Sequence, residues 1–168
     1  MLLVDDKAAL GKFAQTLAIV AENTTGDPIE NGMLSISICW RMGLAHANRS
    51  NIDDANKVYF KALTIDNNVR QVTQGRPTNP AIIGIRQLLI PNLIMLKQWQ
   101  KAIIQAQCLI QDEHNCDDLP NIDIVQSLVD LIDISAKDTA DDPEAVACCR
   151  QVIETLTPLL TAVENEVG

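Results

Sequence analysis

Three times along this chain, a short polar residue and a proline stand together at the start of a stretch with helical periodicity. The pairs are Asp27-Pro28, Asn79-Pro80 and Asp142-Pro143. The polar side chain can accept a hydrogen bond from a free amide of the first helical turn, and proline fits that turn because its missing amide needs no partner. Each pair therefore predicts the start of a helix.

Between these starts, apolar residues recur every three or four positions, which is typical of helices that bury one face. Only 3% of the residues are aromatic although 47% are hydrophobic, so Leu, Ile, Val and Ala must form the core. We expect an all-α fold of about seven helices in antiparallel helix-turn-helix pairs, forming a single domain over residues 1–168. The expected helices are 4–23, 28–48, 53–65, 80–96, 99–112, 120–136 and 143–164.

Several local features complete this prediction. Asp66-Asn67-Asn68 should end the third helix, and residues 69–78 then form a loop or a short helical turn. A loop of that length is a candidate binding element, although a plain connector is the simpler interpretation. Pro91 and Pro158 should bend or interrupt the fourth and seventh helices. The buried face of the sixth helix should carry Ile124, Leu128, Leu131 and Ile132.

The stretch 36–69 predicts two helices joined by a tight polar turn, with small residues where the helices touch. Gly43 lies in the first helix, and Ala55 and Ala62 lie in the second. Small side chains let two antiparallel helices approach closely, while Tyr59 fills the neighbouring groove. These four residues are expected to form one packing unit.

This unit resembles a tetratricopeptide repeat, whose pattern is roughly W-x2-L-G-x2-Y in one helix and A-x3-F in the next. The corresponding residues here are Cys39, Met42, Gly43 and His46 in the first helix, and Ala55, Tyr59 and Ala62 in the second. Residues 80–114 and 120–157 give weaker matches, with Ala102 and Ala145 in the place of Ala55. The resemblance implies a right-handed superhelical array whose groove, lined mainly by first helices, binds a partner protein or peptide without catalysis.

Charge is unevenly distributed along the chain. The net charge is −9, which disfavours nucleic acid as a partner, yet residues 41–101 hold nine basic residues against three acidic ones. Solvated helix faces are the simpler interpretation of this bias. The alternative is a surface that binds a partner with an acidic segment, and its candidate contact residues are Trp40, Arg41, Arg49, Lys57, Lys61, Arg76 and Arg86.

Two alternative functions remain open. Small acidic all-helical proteins include cytoplasmic chaperones for secreted or assembled clients. A helical ligand- or metal-binding protein would use the cluster Asp112, Glu113, His114, Cys116, Asp117 and Asp118. That cluster lacks the paired spacing of a zinc site and the glycine of an EF-hand, so a solvated loop is the simpler interpretation. We therefore expect no metal and no cofactor, and no enzyme activity.

The five cysteines are odd in number, and Cys148 and Cys149 are adjacent within a predicted helix. That arrangement favours reduced, buried thiols in a cytoplasmic protein over a disulfide framework or a redox pair. His46 is expected to pack rather than to act as an acid or base. The chain shows no secretory leader pattern and no membrane-spanning apolar run. A homodimer that covers an exposed end of the array is possible.

Overall fold

The structure is a computed structural model that describes residues 6–23, 25–74, 79–114 and 122–167. These residues form seven helices and no strand, so the all-α prediction is confirmed. The helices are α1 (Asp6–Glu22), α2 (Pro28–Asn48), α3 (Ile52–Val72), α4 (Pro80–Met95), α5 (Trp99–His114), α6 (Ile122–Asp138) and α7 (Pro143–Val167). Within the described residues, no helix is both long and apolar enough to cross a membrane.

The chain divides into two compact units, with the boundary between Ile82 and Ile83, inside the first turn of α4. In unit 1, α2 packs against both α1 and α3. In unit 2, α7 packs against both α5 and α6. The single domain over residues 1–168 and its superhelical arrangement stay predictions.

The three predicted helix starts are confirmed by hydrogen bonds. The Asp27 carboxylate accepts from the amide of Ile29, and the Asn79 side-chain oxygen accepts from the amide of Ala81. Asp142 accepts from the amides of Glu144 and Ala145 at the start of α7. In each case the proline is the first residue of the helix, where no amide donor is needed.

α2 and α4 end in the same kind of turn. In α2, the amide of Asn51 donates to the carbonyl of His46, and the amide of Ser50 donates to that of Ala47. In α4, Gln98 and Lys97 repeat the two bonds with Leu93 and Ile94. This is the Schellman pattern, and it places Ser50 and Lys97 in the left-handed region, with φ of 61° and 56°.

The predicted end of the third helix is wrong, because α3 continues through Asp66, Asn67 and Asn68 to Val72. Asp66 is buried, and its carboxylate lies 2.7 Å from the guanidinium of Arg70, one turn further along. An ion pair between positions i and i+4 supports a helix across residues that otherwise favour turns. The predicted loop at 69–78 is therefore helical up to Val72, and residues 75–78 lie outside the described residues.

The core of unit 1 contains the packing unit expected from the sequence. Ala55 and Ala62 are fully buried, and Tyr59 is almost so. A methyl group added at Gly43 would overlap the ring of Tyr59, so the absent side chain is what lets that ring lie against α2. Gly32 stands in the same relation to Val69 of α3. Burial raises the pKa of Tyr59 to about 12, because its phenolate has lost contact with water.

The apolar part of the unit 2 core is formed mainly by aliphatic side chains. Its fully buried residues include Ile85, Leu89, Ile90, Leu93, Ala102, Ala106, Leu109, Val125, Cys149, Val152 and Leu156. Ile132 and Leu128 of α6 are buried as predicted, whereas Ile124 lies among residues whose side chains the structure does not describe. Leu131 is exposed, so its predicted burial is wrong. It lies on a different side of α6 from its buried neighbour Ile132, because consecutive helical residues are about 100° apart.

Two prolines were expected to bend or interrupt a helix, and neither of them ends its helix. Pro91 lies inside α4 and Pro158 inside α7. α7 runs on without interruption to Val167, so of the two predicted effects of Pro158 the interruption is wrong, and the bend stays a prediction. A proline removes one backbone hydrogen bond, and helices that are packed along one face tolerate that loss.

Candidate functional site

α2 has an outer face on which apolar side chains remain exposed. Met33, Leu34 and Leu44 are between 40% and 49% exposed. Met33 and Leu44 are eleven residues apart, which is three helical turns, so they lie almost in line along the helix. Trp40, half-buried, and Arg41, exposed, fall on the same face by the same rule. We call these five residues the α2 face.

The charge of the α2 face comes from Arg41. From Asn31 to Ile52 the sequence contains no acidic residue, so α2 offers no carboxylate to Arg41 along its own length beyond the first turn. An exposed guanidinium among apolar side chains can bind a carboxylate with two parallel hydrogen bonds. The α2 face thus brings together two residues predicted as contacts and three apolar residues that were not predicted as contacts. Helical spacing with Ile38 and Met42 predicted Leu34 to be buried, and that prediction is wrong, because Leu34 is 49% exposed. The signal that could have identified Met33, Leu34 and Leu44 is their spacing, which places them together on one side of α2, away from its buried side.

The other predicted contact residues do not all share this surface. Arg49 is exposed in the turn after α2. Lys57 is exposed on α3, where its ammonium lies 3.2 Å from the carboxylate of Asp54. Lys61, also on α3, is exposed and lines a different site, the apolar groove described below. Arg76 lies outside the described residues.

Arg86 is largely buried and is bonded within unit 2. Its guanidinium lies 2.5 Å from the carboxylate of Asp112 and also donates to the side-chain oxygen of Gln105. The side chains of Arg86 and Asp112 are only 13% and 5% exposed. The guanidinium is therefore satisfied within unit 2, where it joins α4 to α5, and it is not available to an acidic partner.

The acidic cluster after residue 111 differs from the predicted solvated loop. Asp112 and Glu113 are buried and belong to the last turn of α5. The expectation that they were solvated loop residues is therefore wrong, because α5 extends further than predicted and Arg86 supplies a partner for Asp112. Cys116, Asp117 and Asp118 lie outside the described residues. Within the described residues, no group of three or more His, Cys, Asp or Glu side chains is arranged to hold a metal ion.

The described cysteines are all free thiols, and three of them, Cys39, Cys148 and Cys149, are buried as predicted. Burial raises the pKa of Cys148 to about 11, with a further increase from the neighbouring Cys149, and burial also raises the pKa of Cys39 and of Cys149. A thiol must lose its proton to attack a substrate or bind a metal ion. These three cysteines are therefore poorly suited to either role at neutral pH.

An apolar groove lies among the three helices of unit 1. Its volume is about 730 Å³, and α1 contributes mainly alanine and leucine to its walls, including Ala14, Leu17 and Ala18. α2 contributes Gly32 and Met42, and α3 contributes Ile65 and Lys61. The groove offers a mainly apolar lining with three uncharged polar residues, Asn23, Asn31 and Ser35, and one cationic side chain.

His46 is half-buried near the end of α2, and its Nδ1 atom has no hydrogen-bond partner within the described residues. The packing role expected for His46 stays a prediction. Comparison of the chain with protein-family models, with curated proteins and with solved structures found no match in any of the three.

Proposed function

We propose that this protein is a non-catalytic interaction module that binds a segment of a partner protein on the α2 face. The observation that supports this proposal is the combination of Met33, Leu34 and Leu44, all substantially exposed, with Trp40 and Arg41 on one side of one helix. Exposed apolar side chains on a monomer are individually ordinary, but a contiguous set around an arginine and a tryptophan is typical of binding surfaces.

The chemistry of the face indicates the partner. Burying apolar surface contributes roughly 25 cal/mol for each Å² removed from water, so the leucines and methionine favour an apolar segment. Arg41 favours a carboxylate beside that segment, since two parallel hydrogen bonds to Asp or Glu fit its geometry. The expected partner is therefore a protein segment with apolar side chains and at least one acidic residue. The buried free thiols support a cytoplasmic setting, where thiols stay reduced.

The test compares the proteins captured by the wild-type chain with those captured by a variant of the face, using quantitative mass spectrometry. The variant carries Arg41→Glu and Leu44→Ser, both at exposed positions where the core is not disturbed. The matched control is Arg150→Glu, an exposed charge reversal on α7. A partner that uses the α2 face is lost with the variant and kept with the control.

The affinity of that partner is then measured by titration with purified protein. We expect the variant to bind about tenfold to a hundredfold more weakly, and the wild-type affinity to fall as salt is added. Equal affinity of the wild type and the variant for every captured protein would contradict the proposal.

A further inference from the structure

A second groove lies entirely within unit 2, beside the turn that joins α4 to α5 and the turn that joins α6 to α7. Its volume is about 490 Å³. Its apolar walls are formed by Pro91, Ile94, Met95, Trp99 and Leu131. Its other walls come from the end of α6 and the turn after it, with Ser135, Asp138, Thr139, Asp141 and Asp142. We call this site the unit 2 groove.

The apolar walls of the unit 2 groove are open to water. Met95 is 65% exposed, and Leu131, which the helical pattern predicted to be buried, is 46% exposed. Met95 is the last residue of α4, and Leu131 lies two turns before the end of α6, so two different helices present apolar side chains to one space. Covering this surface with another apolar side chain is favourable.

Carboxylates stand beside that apolar surface. Asp142 is occupied, because one oxygen caps α7 and the other lies 3.9 Å from the ammonium of Lys97. Asp138 and Asp141 are exposed, and within the described residues neither forms an ion pair. The groove therefore has two uncompensated negative charges against one lysine that already has a partner. Unit 2 as a whole holds fourteen acidic and five basic residues, so the wider field has the same sign.

We propose that the unit 2 groove docks a basic amphipathic segment of a partner protein. An apolar side chain of that segment would lie against Met95 and Leu131, and a lysine or arginine next to it would face Asp138 and Asp141. Charge complementarity selects the sign of the partner, because a carboxylate-bearing segment would meet like charges at the same edge. The apolar walls distinguish such a segment from a simple cation, which gains nothing from Met95 or Leu131. This proposal uses no residue of the α2 face and goes beyond the proposed function.

The probe is a fluorescein-labelled helical peptide of about 14 residues made only of leucine and lysine, with leucine at every third or fourth position. A second peptide replaces every lysine with glutamate. Fluorescence anisotropy with the full-length protein measures both dissociation constants. We expect the lysine peptide to bind at least about tenfold more tightly than the glutamate peptide.

Two groove variants locate the binding. The double variant Asp138→Lys and Asp141→Lys leaves the helix cap Asp142 unchanged and should weaken the lysine peptide about tenfold or more. Leu131→Gln, at an exposed position, should weaken it by about fivefold. The matched control is Asp130→Lys with Glu154→Lys, which changes the net charge equally at exposed positions that do not line the groove. Circular dichroism verifies that all the variants remain helical.

The outcomes separate the groove from its alternatives. A loss confined to the groove variants supports the proposal. An equal loss in the control shows attraction to the whole acidic surface and overturns it, as does tight binding of the glutamate peptide. Sedimentation that shows the wild type as a dimer, with the groove variants monomeric and no peptide bound, would assign the groove to a second copy of the chain and also overturn the proposal.

Discussion

The α2–α3 pair and the α4–α5 pair are joined by the same turn, yet their helices are held together by different chemistry. Positions in the two pairs correspond when 47 is added, so Ser50 matches Lys97 and Ala55 matches Ala102. The amide of Ala55 donates to the carbonyl of Asn51, and that of Ala102 donates to the carbonyl of Gln98, at the start of each second helix. Both alanines are fully buried.

The first difference is a reversal of large and small residues. In the α2–α3 pair, Gly43 on the first helix lies against Tyr59 on the second. The corresponding residues of the α4–α5 pair are Ile90 and Ala106, both fully buried. The larger residue of the two therefore belongs to the second helix in the α2–α3 pair and to the first helix in the α4–α5 pair. A close-packed interface requires that facing volumes add up, and it does not prescribe which helix supplies the bulk.

The second difference concerns charge. Cys39, Val58 and Ile65 of the α2–α3 pair correspond to Arg86, Gln105 and Asp112 of the α4–α5 pair, again 47 residues further along. The second set forms the buried polar network of unit 2. A buried ion pair stabilises little relative to apolar packing, but a broken one leaves an uncompensated charge. Mutations in the two pairs should therefore lower the free energy of unfolding for different physical reasons.

The largest effect is expected at Arg86. Arg86→Met removes the guanidinium that pairs with the buried Asp112 carboxylate, and we expect the free energy of unfolding to fall by about 3–5 kcal/mol. Chemical denaturation followed by circular dichroism measures this value. The control is Lys137→Met, which breaks an ion pair of 2.7 Å with Asp133 at the exposed surface of α6. That substitution should cost less than about 0.5 kcal/mol.

A second variant sharpens the interpretation of the first. Arg86→Met combined with Asp112→Leu replaces the whole pair with apolar side chains, as in the α2–α3 pair, and should recover most of the lost stability. If the double variant were no more stable than Arg86→Met alone, the cost would come from lost packing of the arginine rather than from the loss of its charge beside Asp112.

A smaller effect is expected at Gly43. Gly43→Ala places a methyl group against the ring of the buried Tyr59, and overpacking of this kind typically costs about 1–3 kcal/mol. Gly11→Ala is the matched control, because no atom other than those of its own helix backbone and its two sequence neighbours lies within 4 Å of the added methyl group. There we expect a gain of about 0.5–1 kcal/mol from the higher helix propensity of alanine. Thermal and urea denaturation of both variants check the opposite signs.

The smallest effect is expected in the shared turn. Ser50 and Lys97 have positive φ values, which strain any residue other than glycine, so Ser50→Gly and Lys97→Gly should each stabilise the protein by about 0.5–1 kcal/mol. Lys97 also loses its contact with Asp142, but that pair is exposed and contributes little. Asn51→Gly, at a φ of −90°, should bring no gain. A gain in only one of the two pairs would show that the turns are not energetically equivalent.

Local chemistry made the helix starts predictable. A cap and a proline act within four residues of one another, so Asp27, Asn79 and Asp142 could be identified without knowing what surrounds them. The close approach of the two helices at Gly43 was also predictable from the sequence, because the spacing of small residues along two helices predicts where they touch. The α2 face could be predicted only in part, since Trp40 and Arg41 were identified as candidate contacts but Met33, Leu34 and Leu44 were not.

The errors arose where a residue depended on a partner distant in the sequence. Asp112 was predicted to be a solvated carboxylate and Arg86 a surface cation. In the structure the two side chains form a buried ion pair between α4 and α5. Leu131 fits an apolar helical stripe, yet it is exposed and lines the unit 2 groove. The apolar periodicity of a helix shows which side of that helix can be buried. It does not show how far the neighbouring helices extend along that side.

The sequence by itself determined the helical class, the helix starts and the glycine that admits Tyr59, because each follows from interactions within a few turns of the chain. Tertiary structure decided which charges are buried, which leucines remain exposed and which apolar side chains lie together at the surface. Those outcomes depend on the desolvation and packing of side chains from separate helices. Such contacts exist only after the helices have come together.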